Sequence, residues 1–208
     1  MTTTSESERI AGADRPTIER IRQAALTSFA ANGTATTSLR SVATAAGVSL
    51  GLVQHHFVTK AGLIKAVDDY VTSVMVDVVG RPVSRPPRDS VADMGSRVTT
   101  LLLEYPEVVR YLGRALVDGS ELGVTVWDTL SELGVQRWAE RKESGEARED
   151  IDVTWAALNS LVLALGTFIV RGHIERRMPD AFSTPEQVDR WQESVNTLLR
   201  EGLFTRAD

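Results

Sequence analysis

Chemistry in this chain has few places to reside. The 208 residues include no cysteine and three histidines, His55, His56 and His173. Thiolate catalysis, disulfides and cysteine-held zinc are therefore excluded. A histidine metal centre would need carboxylate help, and no His-Glu-x-x-His spacing is present. His55 and His56 are neighbours, and adjacent side chains on a helix diverge by about 100°, which suits no shared ion. His173 reads as a helix-end or interface histidine, and the four tryptophans read as core or interface anchors. With no phosphate loop and no histidine–carboxylate cluster, an all-α enzyme finds no support. No metal site and no cofactor are expected.

What remains is recognition chemistry in residues 37–57, TSLRSVATAAGVSLGLVQHHF. Two short helical patterns flank Ala46-Gly47-Val48. Ala43 is small enough for a second helix to cross close above it. Gly47 permits a positive φ and hence a sharp turn. Val48 and Val53 plug the angle between the helices. Thr37 or Ser38 supplies a capping oxygen for the first helix and Ser49 for the second. The product is a helix-turn-helix, whose second helix can lie in a DNA major groove. Charge agrees: residues 15–60 carry five cations and one acid, while residues 61–208 carry 17 cations and 24 acids, within a net charge of −5. Phosphate attraction is thereby confined to one end.

Helical period runs through nearly everything else. Helices are expected over about 17–32 (opened by Pro16), 39–46, 49–56, 59–80, 90–104, 106–116, 120–141, 152–176 and 185–203. GRPVSRPP (80–87), Glu143–Asp150 and MPDAFSTP read as loops. The N-terminus is polar and acidic, without a signal-peptide core, and the longest apolar stretch, Trp155–Val170, is too short and too polar for a bilayer span. A cytoplasmic protein with no membrane contact is the expectation.

The segment Phe29-Ala30-x-Asn32-Gly33, Thr37-Ser38-Leu39-Arg40-Ser41-Val42-Ala43, Ala45-Ala46-Gly47-Val48-Ser49-x-Gly51 and His56-Phe57-x-x-Lys60-x-x-Leu63 resembles the N-terminal domain of the TetR family of transcriptional regulators. The resemblance implies an all-α fold: an arm over 1–14, a three-helix DNA-binding head over 15–60, and a helical body over 61–208. It also implies a ligand-responsive regulator, most often a repressor, that binds a palindromic double-stranded operator as a homodimer and is released by a small hydrophobic or amphipathic effector. By position, it assigns Thr37 and Ser38 to the phosphate-facing start of the second helix and lets Arg40, one turn further, reach a phosphate or a base edge. Ser49, Leu50, Gly51, Leu52, Gln54 and His55 fall on the reading helix, with Val53 and Phe57 inward. His56 and Lys60 are assigned to phosphates. The tyrosine common in the family at position 54 is absent, and Leu50 and Leu52 are apolar where base-reading polar residues often sit. Readout would then lean on thymine methyls and on Gln54, which can pair bidentately with adenine. Leu50 and Leu52 could instead be core residues of a helix turned from this register. The low polarity there is also what favours the alternative of a helical interaction adaptor with a degenerate head.

In the body, Ala157, Ser160, Ala164 and Gly166 or Thr167 form a small-residue stripe suited to a partner helix, with Leu161, Leu165 and Phe168 adding apolar area and residues 185–203 a second interface helix. Helices four to seven are expected to enclose an effector cavity, with Tyr70, Arg110, Tyr111, Arg114 or Asn159 as its polar groups.

Overall fold

Every element in the computed structural model, which describes residues 4–81 and 90–204, is a helix. They are α1 (Thr4–Asn32), α2 (Leu39–Ala46), α3 (Leu50–Phe57), α4 (Lys60–Val78), α5 (Ser90–Glu104), α6 (Pro106–Asp118), α7 (Glu121–Glu143), α8 (Val153–Ile169), the single turn α9 (Arg171–Ile174) with a 3₁₀ turn at Glu175–Arg177, and α10 (Pro185–Leu203). Among the described residues no strand forms, only an isolated bridge between Ala147 and Phe204. No single helix among them is long and apolar enough to cross a membrane. The GRPVSRPP loop lies outside the described residues from position 82 onward.

Two compact units divide the chain at 73/74, not at the expected 60/61. The reason is that the first half of α4 completes the core of the first unit. Leu63, Val67 and Val71 are fully buried, as are Ile21, Ala25, Leu26 and Phe29 of α1, Val42 of α2 and Val53 of α3. Burial of so many branched and aromatic side chains, each contributing about 1.5–3 kcal/mol, is what holds helices of eight residues that would not persist alone. α1 is helical back to Thr4, so Pro16 lies inside it instead of opening it. Pro16 donates no hydrogen bond to the preceding turn.

The second unit packs α6 on α7, α7 on α8 and α5 on α10. Gly119 at φ 61° closes α6, with Ser120 N–H bonding Ala115 O at 3.1 Å, and the Ser120 side chain then caps α7. The expected eighth helix stops early. At Val170 (φ −96°, ψ 12°) the chain leaves α8 and turns by 68° into α9. Phe182, in the MPDAFSTP loop, is fully buried and meets the Trp191 ring edge-on at 5.8 Å. Its N–H bonds Glu175 Oε1 at 3.2 Å, and Arg171 holds that same carboxylate at 2.8 Å. At the far end of the body, Phe204 packs edge-on to Trp138 (5.3 Å) over Ala147, Ala156 and Ala157, and Arg148 N–H bonds Leu203 O at 3.1 Å.

Candidate nucleic-acid interface

The turn between α2 and α3 forms as its residue types require. Gly47 adopts φ 65°, ψ 38°; its N–H bonds Thr44 O (3.2 Å) and Val48 N–H bonds Ala43 O (3.0 Å), which ends α2 in a left-handed turn. Ser49 then accepts from Leu52 N–H at 3.2 Å and opens α3. At the other end of α2, the cap is Ser38 and not Thr37. Ser38 Oγ accepts from Ser41 N–H (3.0 Å) while Ser41 Oγ accepts from Ser38 N–H (3.1 Å), a capping box made with serine at both positions.

Burial sorts α3 into two faces. Val53 is buried and His56 and Phe57 half-buried, at i, i+3 and i+4. Opposite them Gly51, Gln54 and His55 are exposed at i, i+3 and i+4, and Leu50 and Leu52 are half-buried at the flanks. A Cβ built on Gly51 would meet nothing nearer than Ser49 Oγ at 3.9 Å, so nothing in the fold demands glycine there. Arg40 is exposed on α2, and its carbonyl accepts from Thr44 Oγ1 at 3.1 Å.

Three expected contacts are placed differently. Thr37 is 5% exposed and donates its hydroxyl to Gly33 O at 2.8 Å, so it ties the α1–α2 turn instead of facing outward. His56 turns Nε2 into the protein, where it has no hydrogen-bond partner among the described residues; the Val53–Phe57 side of the helix carries it inward. Lys60 donates from Nζ to Ala35 O at 2.9 Å, bracing that same turn from the start of α4, with donors of its ammonium to spare. Arg22 lies over the Tyr70 ring at 4.3 Å. Thr59 caps α4 by accepting from Gly62 N–H at 3.0 Å.

Sequence reasoning missed Val58. It is 75% exposed and holds φ 55°, ψ −54°, with Thr59 N–H bonding Phe57 O at 2.5 Å across it. This is a γ-turn of the rare, strained hand, on a β-branched residue, directly after α3. No signal in the sequence marks it.

In the body, a cavity of ≈ 180 Å³ is lined by α4, α5, α7, α8 and α10, including Met75, Val98, Leu133, Trp138, Leu161 and Trp191. None of the five expected polar groups lines it. Its polar lining comes from Arg137, Arg141, Ser160, Gln192 and Asn196. The small residues of α8 are also placed differently from expectation: Ala157, Ser160 and Ala164 line this cavity, as do Leu161, Leu165 and Phe168. The large apolar side chains that α8 leaves exposed are Trp155 (60%), Val162 (55%) and Ile169, at i, i+7 and i+14, with Leu198 exposed on α10. Among the described residues, no group of three or more histidine, aspartate or glutamate side chains gathers to hold a metal ion.

Residues 21–67 match the family model described as bacterial regulatory proteins, tetR family. The chain is 32% identical over 141 residues to the HTH-type transcriptional regulatory protein RaaS of Mycobacterium tuberculosis, an alignment that takes in 67% of this chain and 64% of that protein. Its fold is similar to that of a TetR family transcriptional regulator from Chloroflexus aurantiacus (TM-score 0.72, 16% identity, 92% of this chain and 95% of that one). It is also similar to the ketosteroid transcriptional regulator KstR2 of Mycobacterium tuberculosis (TM-score 0.69, 15% identity, 91% and 95%).

Proposed function

We infer the function from family and site together: the chain belongs to the TetR family of bacterial regulatory proteins, and it acts as a cytoplasmic, ligand-released repressor that binds a palindromic operator as a homodimer. The observation that carries this reading is the outward stripe of Gly51, Gln54 and His55 on a helix capped at Ser49 and braced from behind by Val53. Gln54 offers the donor–acceptor pair that adenine matches, Leu50 and Leu52 offer partial apolar surface to thymine methyls, and Gly51 lets the duplex approach closely. Ser38, Arg40 and Lys60 serve phosphates. Half-burial of Leu50 and Leu52 weakens the case for a degenerate adaptor head, because their apolarity then serves packing as well.

A single short helix discriminates weakly, so two heads spaced by about one DNA turn (~34 Å) are required. The exposed Trp155, Val162, Ile169 and Leu198 supply apolar area for the pairing, with the body cavity taking the effector. Binding to a palindrome from the gene's own upstream region, followed by gel shift across a salt series, tests the reading. Expected are one dimer per site and an affinity falling steeply with salt, at roughly 0.9 logarithmic units per phosphate contact. A salt-independent association, or a strictly monomeric protein at micromolar concentration, overturns it.

A further inference from the structure

Arg137 is a poorly paired charge in an apolar place. It is half-buried on α7, in the lining of the ≈ 180 Å³ cavity. A guanidinium carries five N–H donors in a fixed fork. Among the described residues this one has a single acceptor, Arg81 O, at 3.5 Å from Nη2, the outer limit of a hydrogen bond. Arg97 is the contrast: it reaches the same carbonyl at 2.5 Å, Val79 O at 3.4 Å and the Asp93 carboxylate at 3.0 Å. Asp93 is thus already committed, and Glu140 is exposed, accepting from Gln136 at 3.1 Å. One turn along α7, Arg141 lies over Trp138 at 4.9 Å and Phe204 at 5.7 Å and lines the same cavity. Burial, reinforced by the like charges of Arg97 and Arg141, pushes the Arg137 guanidinium below its ordinary pKa. Burial pushes Arg141 down as well. Glu146 and Glu140 offset the burial of Arg141, whereas Arg137 has that one long hydrogen bond among the described residues, and a half-buried charge is costly to leave so poorly paired.

The remaining walls set what else the occupant must be. Around Arg137 the lining is mostly aliphatic and aromatic, from Met75 to Trp191, with Ser160, Gln192 and Asn196 as its neutral polar groups. The volume is of the order of the ~150 Å³ apolar cavity that accepts a benzene-sized guest, which admits one ring or a short chain. A guanidinium fork matches a carboxylate bidentately, and charge-assisted bonds of that kind are roughly twice as strong as neutral ones. We propose that the cavity takes a small organic monoanion, a carboxylate on an apolar body, with Arg137 holding the carboxylate and Arg141 adding its field. This deepens the effector reading and rests on it only for what binding does to DNA; the binding itself is measured without DNA.

Two series of probes test it: phenylacetate, 2-phenylethanol and phenethylamine, and octanoate, octanol and octylamine. Each series keeps one apolar body and changes the head from anion to neutral to cation. Trp138 and Trp191 stand in the wall, so intrinsic fluorescence of the full chain reports occupancy. The expected result is that at least one carboxylate binds ten times or more tightly than its own alcohol and amine. Arg137→Gln should reduce that preference to threefold or less, and Arg137→Lys should restore part of it. If each alcohol binds as tightly as its carboxylate, or if neither carboxylate binds, the proposal is wrong. It is equally wrong if folded Arg137→Gln keeps the preference. Should that variant fail to fold, the head-group ranking of the native protein alone decides. Operator binding by the unliganded protein, measured in parallel, keeps the two readings apart. Its absence defeats the proposed function and leaves the cavity chemistry standing, whereas indifference to the head group does the reverse.

Discussion

Three glycines lie within sixteen residues of the helix-turn-helix, Gly47, Gly51 and Gly62, and one added methyl should act differently at each. At Gly47 (φ 65°) a Cβ would meet nothing within 4 Å, so the cost is conformational only. A left-handed alanine costs about 1–2 kcal/mol, and the stiffer unfolded chain returns about 0.4–1 kcal/mol, leaving a loss of about 1 kcal/mol. Gly51 sits inside α3 with no left-handed φ and with open space around it. Alanine there should stabilise by about 0.5–1 kcal/mol. At Gly62 a Cβ would collide with the Phe57 carbonyl, a backbone atom that cannot swing aside, and forced displacement of that kind costs about 1–3 kcal/mol. Urea denaturation followed by helical ellipticity should therefore rank the variants Gly51→Ala, parent, Gly47→Ala and Gly62→Ala, from most to least stable, with the last two close. Gly51→Ala carries a second expectation: greater stability with weaker operator binding, because its methyl stands beside Gln54 and His55. A Gly51→Ala protein less stable than its parent would refute the placement of that face. A stabilised one with unchanged affinity would remove Gly51 from the interface.

Thr37→Val should lose about 1 kcal/mol with the bond to Gly33 O while leaving the salt slope of operator binding unchanged. Arg40→Ala, at an exposed position, should show the opposite pattern, near-parental stability and a salt slope smaller by about one. Val58→Gly should raise stability by on the order of 1 kcal/mol by releasing a β-branched residue from φ 55°; a lower melting temperature would mean that the turn is not strained. The hydrogen bond from Arg171, with support from the Phe182 N–H, holds the Glu175 carboxyl below its ordinary pKa. Its contribution is therefore full above the unfolded glutamate value and lost as pH falls through the lower folded one. The melting-temperature gap between the parent and Glu175→Gln should be widest near neutral pH and close in acid.

Periodicity and caps are local properties, which is why the helices and the Ala46–Ser49 turn could be read from the chain. Ser49, Gly47 and Thr59 act through atoms no more than a few residues away. Facing is a non-local property, and there the sequence is ambiguous. Thr37 and Ser38 are both hydroxyls before a helix, and only the path of the α1–α2 turn decides that Thr37 turns in. Small residues on α8 suit a close neighbour of any origin; that neighbour proves to be α7, where a Cβ on Gly134 would lie 3.1 Å from that of Ala157. Phe182 is hidden among turn formers, and its burial depends on Trp191. Arg137 and Arg141, four apart on a charged helix, look like any solvated pair until the helices around them are assembled.

The two units also differ in how far along the chain their contacts reach. In the first, the α1–α2 and α2–α3 contacts join elements adjacent in sequence, and the longer reaches, Lys60 to Ala35 and Tyr70 to Arg22, are complete by residue 70. In the second, Thr99 bonds Gln192, and Trp138 waits for Phe204. Loop closure over such separations is slow and cannot begin before the later partner has been synthesised. During translation, then, the amino-terminal unit reaches its native form while the other is still an open set of helices exposing Trp138, Trp191 and the walls of the cavity. Chaperone demand and proteolytic risk should fall on that interval and on that half of the molecule.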